Sequence, residues 1–234
     1  MTTEGVETVI KYYNDLVQGS DEWHAARCGL LTASEMKLVV TPTFKAASND
    51  KERTHLFELL AQRISKYVEP KYIGEHMLRG YDDELLAKTK YNEHFGDVEN
   101  CGFVTNDKFG FVIGCSPDGL IGKDGMIQCK SRLQKYQIET IATGQIPDEH
   151  LIQMHTELMV TERAWNDYVS YSNGLPMAVI RLHADEKVQS AIAEAAEKFE
   201  ERLAKRLQDY NAALNDGNMR WCSTERINRQ EMFV

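Results

Sequence analysis

Residues 102–131 are the stretch that most narrows what this chain can fold into. The runs GFVT, FGFVIG, DGLIG and MIQCKS are short and β-prone, with Asn-Asp, Pro-Asp-Gly and Lys-Asp-Gly turns between them. Helical spacing of apolar residues flanks this region on both sides. VETVIKYYNDLV near the N-terminus, residues 54–67 and residues 75–95 predict three helices before it. In the third, Met77, Tyr81, Leu85, Lys88 and Tyr91 fall near one face. After the strands, Pro147 and an acidic first turn open a helix over 148–161. Two further strands, YVSYS and MAVIRL, are divided by the turn Asn173-Gly174-Leu175-Pro176. A long amphipathic helix follows Asp185, with Val188, Ile192, Ala195, Phe199, Leu203, Leu207 and Tyr210 on one stripe. This order predicts an α/β sandwich with a mixed central sheet flanked by helices. No repeat, low-complexity tract or Pro/Gly-rich linker interrupts residues 1–234, so a single domain is expected.

Composition excludes several classes. Apolar residues make up 42% and charged residues 27%, the ordinary globular range. No apolar run approaches the ~20 residues of a membrane span. MTTEGVETVI carries acids where a signal peptide needs basic and then apolar residues. The five cysteines are Cys28, Cys101, Cys115, Cys129 and Cys222, an odd number without a CxxC pair. They argue against a disulfide framework or zinc knuckle and predict a reducing, cytoplasmic setting without membrane attachment. The net charge of -9 points away from non-specific DNA binding. An acidic chain can still handle DNA if its positive charge is gathered in a channel.

Four segments carry chemistry. Ser116-Pro117-Asp118-Gly119-Leu120 and Ile127-Gln128-Cys129-Lys130 are expected on adjacent strands, with Asp118 and the Gln128/Lys130 pair at one end of the sheet. Residues 128 and 130 share a face because strand side chains alternate. An acid here can hold Mg²⁺ through hard oxygen ligands. A lysine can orient or help deprotonate the attacking water and stabilise charge growing on a phosphate. The same residues also read as a plain hairpin with a Pro-Asp-Gly turn. Second, Trp23-His24-Ala25-Ala26-Arg27-Cys28-Gly29 runs into Thr32-Ala33-Ser34-Glu35. The latter reads as a capping box, with Ser34 in the first turn of a short helix, where free N–H groups favour an anion. Arg27 could add a bidentate phosphate contact, although a capping box is equally a mere helix start.

Third, in Arg79-Gly80-Tyr81-Asp82-Asp83-Glu84, helical spacing sets Glu84 beside Tyr81, Leu85 and Lys88, with Asp82 and Asp83 on the flank. A carboxylate so placed either needs a cation or reaches solvent. Fourth, Gln153 in HLIQMHTELMV either bonds a phosphate or base or lies on the polar side. His150 and His155, five residues apart, suit a zinc pair poorly and read as structural.

Together GSDEWHAARCGLLTAS, RGYDDE, GFV…GCSPDGLIG, the xCK strand and the helix with Gln153 resemble the phage lambda exonuclease family, the YqaJ-type viral recombinases. The resemblance covers about residues 18–160, in the family's order. It implies a restriction-endonuclease-like fold of the PD-(D/E)xK type. It implies a Mg²⁺-dependent 5′→3′ exonuclease that degrades one strand of linear duplex DNA. The product would be a 3′ single strand for a single-strand annealing protein, made by a ring-shaped homotrimer encoded by a phage or prophage. Two Mg²⁺ ions, with Mn²⁺ a substitute, would stabilise attacking and leaving oxygens together. Carried over, Asp118 resembles the shared metal ligand and Glu84 an acid acting through metal-bound water. Lys130 resembles the catalytic lysine, and the Cys129 carbonyl a further ligand. Arg27, Ser34, Ser116 and Gln153 match positions that clasp the terminal 5′-phosphate.

Gln128 departs from the family pattern, which has Glu there. A glutamine offers a carbonyl oxygen but no charge to offset divalent cations, so DNA binding with weak cutting is expected. A deliberate Glu→Gln change that traps intact substrate and a naturally weakened nuclease both account for it. Two other readings remain open: a catalytically impaired DNA-end-binding module, and a restriction-type endonuclease, which would not need the Arg27/Ser34 clasp.

Overall fold

The computed structural model describes residues 9–70 and 75–226, with the backbone alone for 75–77. The N-terminal part runs β1 (Ile10–Tyr13), α1 (Asp21–Arg27), β2 (Leu31–Thr32), a 3-10 turn (Met36–Leu38), α2 (Asp50–Ser65) and α3 (Glu75–His94). Four strands follow: β3 (Phe103–Asn106), β4 (Ile113–Cys115), β5 (Gly119–Ile121) and β6 (Gly125–Ser131). The rest is α4 (Gln134–Thr143), α5 (Asp148–Thr161), β7 (Trp165–Tyr171), β8 (Ala178–His183) and α6 (Glu186–Asn215). The architecture is mixed α/β, as the sequence predicts, but the strands divide between two four-stranded sheets. Their orders are β1-β3-β4-β2 and β5-β6-β7-β8. Each contains one parallel pair, β2 with β4 and β6 with β7, among antiparallel ones.

β6 organises the second sheet. Its alternation sends Met126, Gln128 and Lys130 to one face and Ile127 and Cys129 to the other. Ile127 and Cys129 pack with Ala87 and Tyr91 of α3 and with Val169. On the opposite side, Met126 joins the main core with Leu158 of α5 and Phe199 and Leu203 of α6. The two polar residues of that face, Gln128 and Lys130, lie against α5. β6 is thus covered on both faces, and it is buried from Gly125 to Cys129, the polar Gln128 included.

Several expectations change. VETVIKYYNDLV is not helical where it is described: Ile10–Tyr13 pairs antiparallel with β3, Tyr12 opposite Val104 and Tyr13 opposite Phe103. The fully buried β3 offers a sheet edge, and Ile-Lys-Tyr-Tyr has the β-branched and aromatic content to take it. Residues 6–8 of that run lie outside the described residues. α3 turns a different face inward than its apolar spacing suggests. Tyr81 and Leu85 are 45% and 68% exposed, whereas Asp83, Ala87 and Tyr91 are buried. Met77, placed on the same expected face, has a side chain outside the described residues. The hydroxyl of Ser131 donates to Asp83, and Arg79 lies 3.8 Å from the same carboxylate, so the acid enters with partners.

α4 falls where no element is expected because its polarity is inverted. Gln137 and Thr140 are buried while Ile138 and Ile141 are exposed. Gln137 bonds the carbonyls of Ser170 and Pro176 at 3.0 and 2.7 Å, tying α4 to β7. α5 and the start of α6 fall where predicted, and the Asp185 side chain accepts from the N–H groups of Lys187 and Val188 at the head of α6. Tyr210, placed on the apolar stripe of α6, is exposed.

Candidate active site

The β5–β6 hairpin brings Asp118 beside Gln128. Gly119 pairs with Ile127, so Asp118, one residue earlier, stands opposite residue 128. A side chain at 119 would come within 2.1 Å of Val98 Cγ1, so the glycine lets the turn close against that residue. Asp118 Oδ2 accepts from the Cys129 N–H at 2.6 Å and from the Gln128 amide. The carboxyl is buried. Burial, then the charge of Glu84, pushes its pKa up to about 7 against the opposing pull of Lys130 and Lys88.

Glu84 and Asp118 line one cleft of about 410 Å³ together with Lys88, Tyr81, Asn100 and Gly102. Lys88 Nζ lies 2.7 Å from Glu84 Oε1. Burial opposes the Lys88 charge, but Glu84 outweighs it and its pKa is raised. On the α5 side, Lys130 Nζ donates to Gln153 Oε1 at 3.1 Å. Gln153 Nε2 donates to Gln128 Oε1 at 2.9 Å and to Glu157 Oε1 at 2.8 Å.

These residues fit a divalent cation. Asp118 and Glu84 repel each other across a shared cleft, a conflict that a cation would relieve. The two carboxylates are hard oxygen donors of the kind that Mg²⁺ takes, whereas Gln128 turns its amide N–H toward Asp118 and its carbonyl toward Gln153. Among the described residues the group of His, Cys, Asp and Glu close enough to share an ion is instead Glu35, His55 and Glu58, away from this cleft. The His55 Nδ1 to Glu58 contact of 3.3 Å spans one turn of α2, an ordinary helix pair.

A second cluster lies just upstream of Asp118. Arg27 reaches the hydroxyls of Ser116, Thr32 and Ser34 at 3.3, 3.2 and 3.3 Å. Its guanidinium stacks 4.1 Å over the Trp23 ring, and the indole N–H donates to Ser116 Oγ at 2.9 Å. Burial lowers the Arg27 pKa, with Glu35 and Cys115 opposing. Ser116 and Asp118 are two residues apart, a chain reach of at most about 7 Å. The two clusters are therefore neighbours.

Residues 32–35 do not form the expected capping box. Thr32 belongs to β2, its hydroxyl donates to Glu35 Oε2 at 3.2 Å, and only the three-residue turn Met36–Leu38 follows. What Ser34 offers Arg27 is therefore a hydroxyl, with no helix N-terminus behind it. Gln153 bonds the Lys130 side of the site and not the Arg27 cluster. Sequence reasoning missed Trp23 and Thr32 as supports of Arg27, and it missed Glu157. The last had a legible signal: it lies one helical turn after Gln153, on the same face. His150 is structural as expected, stacking on Tyr168 with ring centroids 5.4 Å apart, and burial takes its pKa down to about 3.

The fold is that of a nuclease-like α/β protein. The YqaJ-like viral recombinase domain matches residues 22–164, and the chain belongs to that family. An alkaline exonuclease from Laribacter hongkongensis is 29% identical, with a TM-score of 0.75, over 84% of this chain and 99% of that one. The same enzyme in complex with dAMP is 30% identical, with a TM-score of 0.74. A phage-related exonuclease from Haemophilus somnus shares the fold alone, at 10% identity and a TM-score of 0.53 over 76% of this chain and 96% of its own. No curated protein matches the chain. Among the described residues no helix is long and apolar enough to cross a membrane.

Proposed function

We propose that this chain is a divalent-metal-dependent exonuclease that shortens one strand of linear duplex DNA from its 5′ end. The observation that carries the reading is the adjacency of two clusters, Asp118/Glu84/Lys130 and Arg27/Ser34/Ser116. The first is suited to breaking a phosphodiester, the second to holding a terminal phosphate. Family membership and the exonucleases of similar structure support it, and the dAMP bound by the Laribacter enzyme fits a nucleotide-sized site. A homotrimer that encloses the duplex, and transfer of the 3′ strand to an annealing protein, extend the proposal by family likeness.

Bound Mg²⁺ or Mn²⁺ would polarise the phosphate and lower the pKa of water. Asp118 and the Cys129 carbonyl would hold it directly and Glu84 through water, and Gln128 would join them by turning its carbonyl away from Gln153. Lys130, positioned by Gln153, places its ammonium where it can orient the attacking water and offset charge on the phosphoryl oxygens. Arg27, held by three hydroxyls and a ring, is already shaped for a planar two-point contact with a 5′-phosphate. Each cut would leave a new 5′-phosphate for the same clasp, which favours forward movement by one nucleotide.

The test is a digest of end-labelled linear duplex beside closed circular duplex, with Mg²⁺ and with excess chelator. Linear DNA should lose one strand from its 5′ ends, the circle should survive, and chelator should stop the reaction. Cutting of the circle would instead identify an endonuclease. Tight binding of ends without cutting would favour an impaired end-binding module, the reading that Gln128 alone supports.

Arg27→Ala should slow digestion of 5′-phosphorylated duplex by about ten- to a hundredfold, since a charge-assisted contact contributes roughly 1.5–3 kcal/mol. Digestion of 5′-hydroxyl duplex should fall much less. Equal losses on both ends, in a folded variant, would reduce Arg27 to a general DNA contact.

A further inference from the structure

Lys130 Nζ donates to Gln153 Oε1 at 3.1 Å, and a glutamine amide is a support with two unlike ends. Turned over, the same side chain would present its N–H bonds to the ammonium, donor against donor. Its orientation is decided by what holds the nitrogen. Gln153 Nε2 donates to Gln128 Oε1 at 2.9 Å and to Glu157 Oε1 at 2.8 Å. Two acceptors occupy its two N–H bonds, and the oxygen is left for Lys130.

The two acceptors are not equivalent. Gln128 stands on β6 beside the cleft, its own nitrogen donating to Asp118. Its carbonyl leaves Gln153 if it turns to a cation at Asp118. Glu157 has no such second task. It lies on α5 one helical turn from Gln153 and is fully buried, at 0% exposure. Its other oxygen accepts from Asn166 Nδ2 at 2.9 Å, and Asn166 stands opposite Met126 in the β6–β7 ladder. The carboxylate is therefore pinned to the sheet that carries Lys130. A buried acid bonded only by neutral amides is costly, and an apolar side chain would fill the place at less cost. What the apolar side chain could not do is accept the Gln153 N–H whichever way Gln128 is turned.

We infer that Glu157 is a positioning residue for Lys130: it holds the nitrogen of Gln153, and so keeps the oxygen of Gln153 on the lysine ammonium. The inference rests on reading Lys130 as the group that acts at the phosphate. Glu157 itself touches neither substrate nor cation. The relay runs from Asn166 on β7 through Glu157 and Gln153 on α5 to Lys130 on β6, hydrogen-bonded at every step.

The experiment measures kcat and KM for Mg²⁺-dependent digestion of linear duplex by the full chain. It is run at about pH 9, above the value of about 8 to which burial, and then the Asp118 charge, raise the Glu157 carboxyl. Glu157→Met, apolar and of similar volume, should lower kcat by about ten- to a hundredfold, the loss expected when one hydrogen bond to a charged group is released. KM should stay within about threefold, since no contact with DNA is removed. In a Lys130→Ala chain the same change should lower kcat by less than about threefold, because the group that Glu157 positions is already gone. A merely structural role would lower the melting temperature and act alike in both backgrounds. If Glu157→Met does not fold, adding Asn166→Leu removes the donor left without a partner, and the pair of changes is read in the same way. A folded variant with kcat within about threefold of the original, beside a slowed Lys130→Ala chain, would overturn the inference and leave the reading of Lys130 intact. Losses that multiply with that of Lys130→Ala would overturn it too. An unslowed Lys130→Ala chain, or no digestion by the unaltered chain, would remove the reading of Lys130 and the inference with it.

Discussion

Asp118→Asn should reduce Mg²⁺-dependent DNA cleavage by at least about a thousandfold, because metal contacts at the phosphate contribute several kcal/mol and each ~1.4 kcal/mol is tenfold in rate. The carboxylate is the centre of the cleft. It is buried, it takes the Cys129 N–H at 2.6 Å, and it faces Glu84 across the space a cation would fill. Asparagine keeps one acceptor for that N–H but removes the charge. The fold should not suffer. The Asp118 pKa is raised in the folded protein, so its contribution to stability is full below the ordinary carboxylate range and is lost as pH rises through about 7. Above that, the metal-free fold bears the cost of a buried charge that asparagine lacks. At pH 8 without metal, the variant should therefore melt no lower than the unaltered chain. A variant that still cuts at near the original rate would take the chemistry away from this cleft.

Lys130→Ala should slow cleavage by about a hundred- to ten-thousandfold, the range for removal of a positioned acid–base or electrostatic group. Lys130 lies on the same β6 face as Gln128, its Nζ held 3.1 Å from Gln153 Oε1. The two variants should separate cleanly in a Mn²⁺ titration. Asp118→Asn loses affinity because a ligand is gone. Lys130→Ala keeps or gains affinity, because a positive charge that competes with the ion is gone. Rates within threefold of the original for Lys130→Ala would assign the ammonium to structure alone.

The β5–β6 hairpin, with Asp118 facing residue 128, was legible in the sequence because it depends on local rules only. A Pro-Asp-Gly turn, a Lys-Asp-Gly turn and period-two alternation set which residues share a face before any long-range contact forms. The same holds for α5, marked by Pro147 and an acidic first turn, and for α6, whose apolar stripe is long enough to average over exceptions. Elements whose environment overrides their pattern were not legible. Ile10–Tyr13 becomes a strand because β3, nearly a hundred residues away, presents an edge. α4 hides its register by burying Gln137 and exposing isoleucines, which only the carbonyls of Ser170 and Pro176 make sensible. α3 likewise buries Asp83, which needs Ser131 as partner, and exposes Leu85.

The division runs through the candidate site as well. The sequence by itself determined the chemistry available: an acid, a lysine on the alternate position of the next strand, an arginine followed by hydroxyls, and a glutamine where an acid is expected. Tertiary structure decided which of these meet. It gave Arg27 three hydroxyls and a tryptophan ring, and it moved Gln153 to the lysine. It also set Glu157 on the nitrogen that already holds Gln128. The reason is physical: strand alternation and turn preference act between residues a few positions apart. Whether a buried carboxylate is tolerated depends on charges and donors that only folding brings within reach.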